Sequence, residues 1–299
     1  MQISPIAIVG AGPAGIATAI QLKRQGFNPL IFEQERIGGL LCNANLVENY
    51  LGFPKGIRGV ELVKRMSAHL TNLQVTVTME RVINIDWQSP VFVLQTSGGN
   101  YLARVLVLAS GTRPVTFTDF IIPQVLRSRV FYEVYPLSGV SGACIAIVGA
   151  GDAAYDYALN LSRSNKVLII NRGAQASCLP LLEMRAKDQP NIYVIDHGRV
   201  LSVLPGLPED QPETMTLECD TPQGIILYVA DYLLGAIGRK ACLDFLSKNL
   251  ENHQNTLVEQ GRLYIIGDVH AGHYRQAAIA AGQGIEAAMR IAGYFKEEQ

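Results

Sequence analysis

A chain of 299 residues with 48% hydrophobic and 17% charged side chains is long enough for about two domains with their own cores, and too apolar to be disordered. Its 25 Lys and Arg against 26 Asp and Glu leave a net charge of −1, so no broad field favours nucleic acid or an anionic membrane. No apolar run approaches the roughly 20 residues needed to span a bilayer, and the first strand begins almost at the N-terminus, which leaves no room for a signal peptide. The expected location is the cytoplasm, with neither nucleic acid nor membrane as a partner. Cys42, Cys144, Cys178, Cys219 and Cys242 include no C-x-x-C and no metal-type spacing, as suits scattered thiols in a reducing compartment.

Ile6–Val9 reads as a short buried strand, followed by Gly10, Gly12 and Gly15 at the G-x-G-x-x-G spacing and a small-residue helix through Pro13 and Ala14. The first glycine permits a tight turn, the second a close approach of pyrophosphate, and the third close helix–strand packing, while the helix N-terminus offers free N–H groups to phosphate. Pro29–Phe32 is a second strand, ending in Glu33, 23 residues after Gly10. That is the place for an acid holding a ribose hydroxyl.

Residues 36–54 then form a Gly- and Asn-rich loop, and Val60–Leu70 a helix with one apolar face. Strands follow at Val75–Thr78, Val82–Asp86 and Val91–Gln95, a hairpin turn at Ser97–Asn100, and a further strand. Arg104–Pro114 is a buried strand running into a glycine turn; its continuous Val/Leu run suits a parallel sheet covered on both faces.

From Cys144 the opening pattern returns. A strand, Gly149, Gly151 and Ala154 give G-x-G-x-x-A, with Asp152 and Ala153 entering a helix over Ala153–Ser162 and a strand over Lys166–Ile170. This strand ends in Asn171-Arg172. No acid stands there to repel a 2′-phosphate, and one cation could attract it, which favours NADPH while leaving NADH open. The first site, with Glu33, suits FAD or NAD. Leu204–Glu213 is a Pro-rich loop, Thr214–Cys219 and Gly224–Leu227 a hairpin, Tyr232–Gly238 a strand with a glycine turn, Arg262–Asp268 a strand ending in Gly-Asp, and Gln276–Ala292 a helix. The expected fold is α/β, with two Rossmann-like three-layer domains, the first discontinuous. Its limits are 1–113 with 244–299, and 114–243 for the second.

Taken together, these residues resemble the low-molecular-weight thioredoxin reductases over almost the whole chain. The resemblance implies FAD contacts at Gly10, Gly12, Pro13, Ala14, Gly15, Glu33, Gly38, Gly39, Leu40, Asn49, Val82, Ala109, Ser110, Gly111, Gly267, Asp268, Arg275, Gln276 and Ala277. It implies nicotinamide-nucleotide contacts at Gly149, Gly151, Asp152, Ala153, Ala154, Arg172 and Gly238, and a homodimer. The family's redox C-x-x-C lies just before the second nucleotide-binding strand. Here that stretch, Val130–Gly142, holds no cysteine, and thiol–disulfide exchange needs a thiolate and a resolving sulfur. In this the chain is similar to the thioredoxin-reductase-like ferredoxin–NADP reductases, although their flavin-covering C-terminal extension is not in the sequence. Bacillithiol-disulfide reductases carry a cysteine in the first glycine motif, where Ala14 stands.

The expectation is an FAD-dependent NAD(P)H oxidoreductase without a dithiol, passing electrons to an acceptor such as ferredoxin or flavodoxin, with Arg36 and Arg239-Lys240 as surface cations for an acidic carrier. A disulfide reductase using Cys42 or a partner's thiols, and a flavin-binding protein without turnover, are the alternatives. His270 and His273 lack a third ligand for a metal. Tyr155 and Tyr157 read as packing or interface residues, and no G-x-S-x-G supports hydrolysis.

Overall fold

The computed structural model describes residues 3–206 and 214–297. Within the loop expected over Leu204–Glu213, residues 207–213 lie outside the described residues. The chain divides into two compact units. One comprises Met1–Cys42, Leu46–Arg113 and Lys240–Gln299; the other comprises Asn43–Asn45 and Pro114–Arg239.

In chain order, the first unit opens with β1 (Ile3–Val9), α1 (Pro13–Arg24) and β2 (Leu30–Phe32). After a 3-10 helix over Gly39–Asn43 come α2 (Gly59–Asn72), β3 (Val77–Thr78), β4 (Val82–Gln88), β5 (Val91–Thr96), β6 (Asn100–Leu108) and β7 (Thr112–Pro114). The strand after the hairpin turn and the buried strand from Arg104, read separately above, are one element. β6 runs antiparallel to β5 over Asn100–Ala103 and parallel to β1 over Leu102–Leu108. Its pattern changes from half-exposed to fully buried without a break, so it belongs to both a meander and a parallel sheet.

The second unit holds β8 (Val130–Phe131), β9 (Cys144–Val148), α3 (Asp152–Leu161), β10 (Lys166–Ile170), α4 (Pro180–Lys187) and β11 (Ile192–Ile195). β12 (Arg199–Pro205), β13 (Met215–Thr221), β14 (Gly224–Ala230) and β15 (Tyr232–Gly235) complete it. A parallel sheet, in the order β11-β10-β9-β15-β8, carries α3 over Ile145, Ile147, Val167 and Ile169 on one face. The β12-β13-β14 meander covers the other face, through Val200, Met215, Leu217 and Cys219 against Ala146, Ile170 and Leu233. Alternation of buried residues along β9 is what gives each face its own layer.

After β16 (Arg239–Ala241) the chain returns to the first unit through α5 (Lys248–Glu259), β17 (Leu263–Ile265) and α6 (Ala277–Glu297). Residues 240–243, read above as the end of the second domain, belong to the first, because Cys242 N–H donates to Gly111 O at 3.1 Å and Ser110 Oγ–H to Cys242 O at 2.6 Å. β17 pairs in parallel with Leu106–Leu108 of β6, as a seventh strand off the path β3-β2-β1-β6-β5-β4. Ile6 and Ile8 face α1 and α6, while Ala7 and Val9 face the layer built on Trp87, Phe92 and α5.

α1 and α6 approach so closely that a Cβ on Gly284 would lie 2.3 Å from Ala14 O. Gly284→Ala should therefore cost about 1–3 kcal/mol, the range for overpacking. Gly282→Ala, two residues away and facing open space, should instead stabilise by about 0.4–1 kcal/mol. Urea midpoints compared at unchanged slope measure both.

Candidate nucleotide sites

At the end of β1, Gly10 has φ +102°, and a Cβ there would stand 2.3 Å from Ala109 O. A Cβ on Gly15 would reach 1.9 Å from Gly10 O. Only hydrogen fits at either place, so the turn closes tightly on β6 and α1 starts beside it. Gly12, the N-cap of α1, makes no side-chain cap, and the space where its Cβ would stand is open. Backbone N–H groups at that helix start suit a pyrophosphate.

Glu33, at the end of β2, is 9% exposed. Its Oε2 accepts Ala11 N–H at 2.9 Å, and its Oε1 accepts the N–H groups of Gln34 and Glu35 at 2.9 and 3.0 Å. A carboxylate offers about four acceptor positions, so three donors fix it beside the glycine turn and leave capacity for a hydroxyl. Gly38 N–H donates to Ala11 O at 2.7 Å, and Gly39 lies against Gly12, which sets Leu40 and Cys42 of the 3-10 helix next to the turn. Cys42 Sγ–H donates to Gly39 O at 3.1 Å, and Arg36 Nη1 stands 3.8 Å from the sulfur.

Ala109, Ser110 and Gly111 follow β6, with Ala109 N–H bonded to Val9 O. Gly267, at φ +73°, donates its N–H to Gln283 Oε1 at 2.7 Å and packs against Ala14, which places the Asp268 turn against α1. Asn49 Nδ2 donates to Gln276 Oε1 at 2.8 Å, tying the 48–54 loop to Gln276, just ahead of Ala277 at the start of α6. Beside them the Nε of Arg275 is buried with no hydrogen-bond partner. A buried guanidinium N–H with no partner beside the start of a helix fits an anionic ligand such as the FAD pyrophosphate. The side chain of Val82 is 8% exposed and belongs to the core cluster with Phe32, Ile85 and Leu94.

In the second unit the same geometry recurs. Gly149 has φ +125°, and a Cβ there would lie 2.3 Å from Ala236 O. Gly151 caps α3, and Asp152 Oδ1 accepts Leu179 N–H at 2.7 Å. Ala154 is fully buried under the sheet. A cleft of about 800 Å³ is lined by this glycine turn with Ala153, by Asn171–Gly173, by Gly235–Arg239 and by Phe117, Phe120 and Tyr132. Phe117 makes tilted ring contacts with Phe120 and Tyr132 at 4.9 and 5.2 Å between centroids, and a Cβ on Gly235 would meet Tyr132 and Phe117. Asn171 is spent on structure: its Nδ2 donates to Asp196 Oδ1 at 2.7 Å, and its Oδ1 accepts Gly173 N–H at 3.0 Å.

Three features were not legible in the sequence. Arg239, expected as a surface cation, is paired with Glu133 at 2.7 Å and is 20% exposed. Glu133 also accepts Asn43 Nδ2–H at 2.8 Å and faces Tyr157 OH at 3.4 Å. Burial and then the Glu133 charge push the Tyr157 phenol well above its usual range, and burial pushes Tyr155 up to about 12. The aromatic lining and Glu133, the centre of this polar cluster, come from Phe117–Val134, whose only visible signal was the missing cysteine pair. Among the described residues no group of three or more His, Cys, Asp or Glu could hold a metal, and no helix is long and apolar enough to cross a membrane.

Two glycine turns, each opening a helix beside a parallel sheet, define a dinucleotide-binding architecture, and residues 4–284 match the pyridine nucleotide-disulphide oxidoreductase family. The chain belongs to that family, and within it to the low-molecular-weight thioredoxin reductase-like members. These are flavin-dependent NAD(P)H oxidoreductases that use FAD and NADPH, which sets aside a non-enzymatic role. The chain is 28% identical to the bifunctional thioredoxin reductase/thioredoxin of Mycobacterium leprae, covering 99% of this chain and 66% of that protein. It is also 28% identical to the mitochondrial thioredoxin reductase 1 of Arabidopsis thaliana, over 98% of this chain and 84% of the relative. The thioredoxin reductase of Lactococcus lactis shares the fold with a TM-score of 0.84 at 20% identity, covering 98% and 99% of the two chains.

None of the five cysteines is in a disulfide. Burial raises the thiols of Cys144, Cys178 and Cys242, and pushes Cys219, fully buried, up to about 11. At pH 8 Cys219 is therefore held as the thiol, whereas the thiolate is the reactive form. Iodoacetamide at pH 8 should leave Cys219 unlabelled in the folded protein and label it once urea unfolds the chain, as peptide mass spectrometry would read.

Proposed function

We propose that this chain takes electrons from NADPH bound in the second unit to FAD bound in the first, and delivers them directly to an external redox protein such as ferredoxin or flavodoxin. It would act as a homodimer in the cytoplasm. The observation that carries this reading is the stretch before β9: residues 130–142 contain no sulfur, so no dithiol there can relay electrons to thioredoxin. FAD, when bound, supplies a two-electron acceptor that can release its electrons singly. The chain's own part is to hold and orient. Glu33 takes a ribose hydroxyl, the α1 N-terminus and Arg275 take the pyrophosphate, and Asp268 takes the ribityl chain. The Gly149–Ala153 turn takes the second pyrophosphate, and Arg172 the 2′-phosphate.

One observation favours a second reading. Cys42 sits on the turn that packs against Gly12, with the Arg36 guanidinium 3.8 Å from its sulfur. On that reading the enzyme reduces a disulfide through Cys42.

Glu33→Ala should weaken FAD binding by about 1.5–3 kcal/mol, as for a hydrogen bond involving a charged group; equilibrium dialysis of FAD measures it, and equal retention would show the first ribose to be held elsewhere. Reduced holoenzyme mixed with ferredoxin or flavodoxin in a stopped flow should transfer electrons faster than it does to oxygen. NADPH-driven dye reduction should survive Cys42→Ser with FAD still bound, and its loss would turn the assignment to the disulfide reading.

A further inference from the structure

The turn that carries Arg172 does not stand alone. Asn171 N–H donates to Ile195 O at 2.9 Å, His197 N–H to Gly173 O at 2.9 Å, and Gly198 N–H to Asn171 O at 2.8 Å. These bonds zip the end of β10 to the 195–198 turn between β11 and β12. His197 takes φ +54° to make that turn, and a Cβ on Gly198 would lie 2.9 Å from Ile195 Cγ2 and 3.2 Å from Ile170 Cγ2. The turn is thus locked onto the strand end, and the next residue, Arg199, is fixed relative to Arg172. Both arginines line the 800 Å³ cleft.

Cations and carboxylates meet at this end of the cleft. Asn171, where a ribose-binding acid would stand, has its amide committed to Asp196 and Gly173. Asp196 in turn spends an oxygen on Asn171. Arg199 is paired with Asp119, which also lines the cleft, 3.9 Å away, with the two side chains 60% and 57% exposed. An ion pair so long and so well solvated holds Arg199 weakly, so a dianion in the cleft can take it over.

From this we infer that Arg199 is a specificity-determining residue, which together with Arg172 clamps the 2′-phosphate of NADPH, a dianion that NADH does not offer to the two cations. This rests on the reading of the cleft as the nicotinamide-nucleotide site. Two guanidinium groups from separate, hydrogen-bonded turns can approach a phosphate from two directions, which one arginine on an exposed turn cannot.

Calorimetric titration of the FAD-loaded full-length protein with 2′,5′-ADP and with 5′-AMP isolates the 2′-phosphate without turnover. Wild type should bind 2′,5′-ADP more tightly. Arg199→Ala should weaken 2′,5′-ADP about tenfold, in line with a lost charge-assisted hydrogen bond, while leaving 5′-AMP unchanged, and Arg199→Lys should fall between. Arg172→Ala combined with Arg199→Ala should abolish the preference. Wild type that binds both ligands, with Arg199→Ala indifferent to the 2′-phosphate or equally weak for both, overturns the role of Arg199 alone. Wild type that binds neither nucleotide, nor NADPH, overturns the reading of the cleft and this inference with it.

Discussion

The distance between a glycine α-carbon and a carbonyl oxygen governs both units. At Gly15 that oxygen belongs to Gly10, at Gly10 to Ala109, at Gly149 to Ala236, and at Gly284 to Ala14, and in every case an added methyl would stand within 2.3 Å of it. Such proximity lets a helix begin where a strand has just ended, so that the helix N–H groups and the strand-end side chain converge on one volume. Glu33 then needs only backbone donors to hold it in place. The layers above and below each sheet follow from the alternation of β1 and β9, but their closeness follows from these missing side chains.

What was readable in the sequence was what is locally enforced. A G-x-G-x-x-G spacing states a backbone requirement within a few residues, and Lys166–Ile170 appeared with the bounds read for it. Interactions between distant residues were hidden. Arg239 looked like a solvated cation because its partner, Glu133, lies 106 residues away. α5 went unread although Ser247 caps it, with Oγ accepting Leu250 N–H. β6 was split in two because the hairpin before it and the apolar run within it are separate signals, and no residue marks the change of partner.

Family membership fixes the scaffold, and the departure from it is local. The segment ahead of β9 carries Tyr132, Glu133 and Val134, which take part in an aromatic wall, a salt bridge and the core respectively. Each has a role within its own unit, so the segment is ordered by packing and charge with no need of a disulfide. The two glycine turns stand beside a segment, residues 130–142, that holds no cysteine.

β6 also bears on how the chain comes off the ribosome. One edge is completed by β1 and half of the other by β5, all within the first 108 residues. The remaining half, Leu106–Leu108, waits for Leu263–Ile265. All of the second unit, by contrast, has emerged once residue 239 has been made. The middle of the chain can therefore finish folding while the sheet that preceded it still exposes an unpaired, fully apolar strand edge. Such an edge invites pairing with other chains, so this interval is where nascent copies are most open to aggregation.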